Sequence, residues 1–121
     1  MRRAVLLVAV MGCGGGSSAS VDAMPDAVVP VIALESCPAV VDASITDTPT
    51  AFVPKDTTVG RTGIVKFVIT SEHFVIPNTL TTTDPAFNVA RGETKCFKMM
   101  VKGTFGFLCG VHGFTGTITV Q

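Results

Sequence analysis

The chain has no tryptophan, no tyrosine and only two histidines in 121 residues. Aromatic packing therefore rests on eight phenylalanines, and imidazole chemistry on His73 and His112 alone. Charge is sparse too, with nine Lys/Arg against nine Asp/Glu. Arg2 and Arg3 sit at the N-terminus, so after Cys13 seven Lys/Arg face nine Asp/Glu, a balance of minus two. No basic stripe exists, which removes support for a nucleic-acid partner. Enzyme signatures are missing as well. There is no nucleophile elbow with its Ser-His-Asp order, no phosphate loop and no carboxylate pair in an apolar setting. The sequence therefore predicts a protein that is not an enzyme. No stretch supports a helix beyond one turn.

The N-terminus is a short basic start followed by a continuous apolar run, Ala4 to Met11. Eight residues cannot cross a bilayer as a helix. They do match the length of a signal-peptide core. The run ends in Val10-Met11-Gly12-Cys13, which resembles the lipobox of bacterial lipoproteins. That resemblance implies a signal peptide over 1–12 and a lipid on Cys13, the new N-terminus. The protein would then be anchored to a membrane of the cell envelope, facing the periplasm or the exterior. Residues 13–30 are Gly, Ser, Ala, Asp and Pro with scattered valines and no period. They read as a flexible tether. Residues 31–121 suit one domain.

That domain reads as β throughout. Ile64-Val65-Lys66-Phe67-Val68-Ile69-Thr70 is the best strand, nearly continuous in apolar residues, as a central sandwich strand should be. Shorter candidates are Val40–Thr46, Ala51–Val53, Thr57–Val59, Phe74–Ile76 and Phe87–Val89. Lys95–Lys102, Thr104–Cys109 and Thr117–Gln121 alternate. Turn residues separate these segments at short intervals. The pattern predicts an all-β, antiparallel Greek-key sandwich of seven to eight strands.

Cys109 and His112 lie three residues apart on a glycine-rich loop between two alternating strands. His73 lies 36 residues upstream of Cys109, just after the best strand. Strand ends meet at one pole of a sandwich, so the three can share a small volume. One thiolate and two imidazoles form the ligand set of a mononuclear blue-copper site. Four cysteines in an exported chain also allow disulfides. If Cys13 carries lipid, Cys37 and Cys96 are the natural pair and Cys109 stays free. Copper ligation explains a free thiol in an oxidising compartment. A structural zinc site would need a fourth ligand, for which Cys96 is the candidate.

The segment Gly103-Thr104-Phe105-Gly106-Phe107-Leu108-Cys109-Gly110-Val111-His112, followed by Gly116-Thr117-Ile118-Thr119-Val120, resembles the late signature of cupredoxins such as plastocyanin, pseudoazurin and amicyanin. Upstream, Val59-Gly60, Gly63-Ile64-Val65-Lys66-Phe67 and the turn Arg91-Gly92-Glu93 add to the likeness. The resemblance implies a cupredoxin-like domain holding one copper ion through His73, Cys109 and His112. It implies single-electron transfer with a redox partner protein of the envelope, by an expected monomer. Exposed His112 would be the electron port, with Gly110, Val111, Gly113 and Phe114 as its apolar docking patch. Two departures stand out. Thr115, Gly116 and Thr117 occupy the positions where the family carries an axial methionine. Thr115 or a backbone carbonyl near Glu72 would stand in for it. Phe74 occupies the position after the first histidine, often asparagine in the family. Copper storage or delivery, and a metal-free sandwich serving as an envelope binding module, are the alternative functions.

Overall fold

A computed structural model of the chain describes residues 29–121. The expected signal peptide, the expected lipid on Cys13 and nearly all of the expected tether fall outside the described residues. Among the described residues there are nine strands and no helix. In chain order they are β1 (Val31–Ala33), β2 (Ala43–Asp47), β3 (Phe52–Val53), β4 (Asp56–Val59), β5 (Ile64–Val68), β6 (Val75–Pro77), β7 (Thr94–Met99), β8 (Gly103–Cys109) and β9 (Thr115–Val120).

The strands form two sheets, ordered β1-β7-β5-β2-β3 and β4-β9-β8-β6. Most pairs are antiparallel, but β2 runs parallel to β5, and β4 parallel to β9. The parallel pairs matter for the site. They bring the C-terminal end of β2 beside that of β5, with Thr46 opposite Val68.

Period-two alternation decides which side chains enter the core. On β5, Val65 and Phe67 point inward; on β8, Phe105, Phe107 and Cys109 do; on β9, Gly116, Ile118 and Val120 do. With no tryptophan or tyrosine, the phenylalanines interlock edge to face. Phe107 sits 5.0 Å from Phe67 and 4.9 Å from Phe52, while Phe97 sits 5.6 Å from Phe67 and 5.3 Å from Phe87. Such T-shaped pairs add about 0.5–1.5 kcal/mol each beyond the area they bury. Phe52 continues the stack to Phe114 at 4.8 Å. The aromatic core therefore runs without a break from mid-sandwich to the loop between β8 and β9.

Two details differ from the sequence pattern. β1 is three residues long, too short to alternate, and gains its order by pairing with β7. Phe87–Val89 is no strand; Val89 makes one isolated bridge to Val75 while Phe87 fills the core. Cys37 and Cys96 form a disulfide that ties the segment after β1 to β7, and Cys109 is a free, buried thiol.

Candidate metal centre

Three donors converge at the pole where β5 and β8 end. Ligand atoms of His73, Cys109 and His112 all lie within 4.8 Å of one another. Cys109 and His73 are buried, and His112 is exposed.

Each donor is placed by backbone structure. Cys109 is the last residue of β8, and its N–H donates to the Phe114 carbonyl at 2.8 Å. That bond closes the loop, and the N–H of Gly113 donates back to the Cys109 carbonyl at 2.9 Å. Gly113 has φ +78°, a left-handed conformation that glycine adopts without strain. The Val111 N–H points at the Cys109 Sγ, 3.4 Å away. Gly110 is required by close approach: a Cβ there would lie 2.1 Å from the Phe74 ring. Phe74 thus lies against the loop, and its carbonyl accepts from the Gly110 N–H at 3.1 Å.

His73 arrives by a turn after β5 that is strapped to β2. Asp47, the last residue of β2, shares the inward phase of Ile45 and is itself buried. Its Oδ1 accepts from the Thr70 N–H at 2.9 Å. Its Oδ2 accepts from the Thr70 hydroxyl at 2.6 Å and meets His73 Nδ1 at 2.5 Å. Burial pushes the Asp47 carboxyl up. The hydrogen bonds from the Thr70 hydroxyl, the His73 ring and backbone N–H groups outweigh that and hold it below the usual carboxylate range. The His73 ring packs edge-on to Phe114 at 5.2 Å and to His112 at 5.0 Å. His112 stacks on Phe114 with the planes 10° apart.

The donors suit a metal. His73 Nε2 is buried and has no hydrogen-bond partner. A buried polar atom left alone costs about 1–3 kcal/mol, so this ring nitrogen calls for a partner. One soft sulfur with two imidazole nitrogens favours copper over hard cations. A four-ligand zinc site fails on this chain because Cys96, the candidate fourth ligand, is consumed by the disulfide.

The three residues singled out from the sequence thus come together, and Thr115 stands apart from them. Thr115 pairs with Leu108 across β8 and β9, so it lies on the sheet face opposite Cys109. The Glu72 carbonyl accepts from Arg91 Nη1 at 3.0 Å. Thr115→Met should therefore leave both the visible spectrum and the midpoint potential of the copper-loaded protein unchanged. Voltammetry on the two proteins checks this, and a clear shift would place Thr115 at the metal after all. Asp47 is the residue that sequence reasoning missed. The available signal was a carboxylate at the core phase of a strand.

No protein-family model matches the chain, and no curated relative does. Solved structures do. An oxidised methionine-to-leucine variant of amicyanin superposes with a TM-score of 0.60 at 12% identity, over 76% of this chain and 99% of that one. The Cu(I) form of a methionine-to-alanine variant of amicyanin gives 0.60 at 11%, with the same coverage. An oxidised proline-to-alanine variant gives 0.60 at 13%, again with the same coverage. Identities this low speak to architecture alone. With the two-sheet topology and the His-Cys-His cluster at its pole, the protein has the cupredoxin fold.

Proposed function

We propose that the protein is a mononuclear blue-copper electron-transfer protein of the cell envelope, not an enzyme. The observation that carries this reading is the convergence of His73, the free thiol of Cys109 and His112 at one pole of a cupredoxin sandwich. Bound copper would supply a one-electron couple. The chain's residues would do the rest. Cys109 and His73 hold their places through strand pairing and the Asp47 contact, so the donor set changes little on gain or loss of an electron. Phe52, Phe74 and Phe114 keep water from the buried side. Exposed His112 offers the electron an exit. Its neighbours Gly110, Val111 and Gly113 are exposed as well, and no charged residue occurs from Gly103 to Gln121. An exposed loop without charges of its own suits the small, short-lived interfaces of redox encounters.

Reversible one-electron voltammetry on the copper-loaded protein tests the reading. A stable couple with one electron per chain is expected. Copper that dissociates on reduction would instead favour storage or delivery.

The envelope location rests on the N-terminal sequence. Cys13→Ser should move the protein from the membrane fraction to the soluble fraction, because the Ala4–Met11 run cannot span a bilayer. Fractionation of cells expressing each form decides it. An unchanged membrane fraction would contradict lipid anchoring.

A further inference from the structure

We propose that the pole opposite the metal centre docks on an anionic membrane surface, which turns the His112 loop toward the aqueous side. The inference rests on the envelope reading and names the face that meets the lipid, which that reading leaves open.

The strand register sets the two poles. β5 and β8 end at the metal centre, so β7, antiparallel to β5, ends at the other pole. β1 begins there, with Val31 opposite Met99, and β9 ends there, with Val120 opposite Gly103. The Met100 N–H donates to the Pro30 carbonyl at 2.8 Å, and the Arg61 N–H to the Gln121 carbonyl at 3.2 Å. The chain that leads back to Cys13 therefore leaves from the pole opposite the metal centre.

That pole is cationic. Exposed Arg61 lies in the turn from β4 to β5, exposed Lys102 in the turn from β7 to β8, and half-buried Lys98 near the end of β7. One carboxylate accompanies them: Asp42, whose Oδ2 accepts from the Ile64 N–H at 2.7 Å. Among the described residues no ion pair joins any of the three cations to a carboxylate. At the metal pole the balance differs. Glu72 follows β5 and Glu93 precedes β7, and with buried Asp47 they face Arg91 and Lys95. The excess of positive charge thus sits where the chain leaves the sandwich.

Each Lys or Arg near an anionic bilayer favours the bound state about fivefold, over a screening distance of about 10 Å. Val29 lies 16 positions after Cys13. A connection of that length reaches up to about 55 Å, more than twice the span of roughly 24 Å for a seven-residue strand such as β8. A lipid on Cys13 would hold the protein near the membrane without choosing its orientation. The three cations make that choice. Asp22 and Asp26 in the connecting sequence are anionic, so the attraction belongs to the pole.

The test places the Cu(I)-loaded chain from residue 13 onward, native and as Cys13→Ser, on lipid discs rich in phosphatidylglycerol that carry a nitroxide-headgroup lipid. Amide signals of residues 60–63 and 100–103 should broaden, while those of residues 110–113 should not. High salt should erase that contrast, and so should Arg61→Gln/Lys102→Gln. In the Cys13→Ser chain the same pair of substitutions should lower partitioning onto the discs about 25-fold. Equal broadening at the two poles, none at either, or a contrast that persists in the double variant would overturn the proposal. The Cys13→Ser chain reads the contrast without a lipid of its own. A native chain whose mass shows no lipid on Cys13 would therefore overturn the envelope reading alone.

Discussion

Replacing Cys109 with serine should remove the visible absorption of the copper-loaded protein outright and leave the sandwich folded. The colour of a blue-copper site comes from charge transfer out of the thiolate, and Cys109 is the only free cysteine among the described residues. The substitution should spare the fold because strand pairing, not the side chain, sets this position. Val75 faces Cys109 across β6 and β8, and the Cys109 N–H is held by Phe114. The Val111 N–H that points at the sulfur can serve a hydroxyl equally well. The cost of burying the hydroxyl is then below the roughly 1–3 kcal/mol of an unpaired one. Absorption and circular dichroism on the same sample separate the outcomes. Retained colour with a folded protein would mean that the thiolate is not the chromophore.

Removing the Cys37–Cys96 disulfide should produce the largest loss of stability. The bond closes a loop spanning 59 residues. Releasing a loop of that size from constraint in the unfolded chain costs about 4 kcal/mol in the chain-entropy account. A domain of this size holds about 5–15 kcal/mol in total. The double variant Cys37→Ser/Cys96→Ser should therefore melt roughly 15–30 °C lower, at about 4–8 °C per kcal/mol. Thermal unfolding of the copper-free proteins measures this directly. A drop of only a few degrees would mean that the sheet pairings of β1 and β7 hold that edge without the bond.

Much of this architecture is legible in the residues, and the illegible parts share a cause. Alternation along β8 and β9 is local, so the inward set Phe105, Phe107, Cys109, Ile118 and Val120 can be read from spacing alone. The short loop between Cys109 and His112 makes their proximity local too. His73 can be placed because it follows the end of a strand and strand ends meet at the poles of a sandwich, but that it shares the pole of Cys109 depends on how β5 is paired, which spacing does not show. Asp47 was hidden for a related reason. It precedes Thr48 and Pro49, and Asp-Thr-Pro reads as a turn. Its partner His73 is 26 positions away. Only the β2–β5 register joins them. The same holds for Thr115, whose distance from His112 in the chain suits a ligand but whose pairing with Leu108 turns it to the other face. β1, at three residues, and the bridge at Val89 are made by their partners and carry no pattern of their own.

The central claim is that His73, Cys109 and His112 form one thiolate–imidazole copper site. Stepwise addition of Cu(II) to the reduced, copper-free domain, followed by visible absorption, tests it most directly. An intense visible band that saturates at one copper per chain, bleaches on reduction and returns on reoxidation is the predicted result. Saturation without colour, or no uptake of copper at all, would contradict the account.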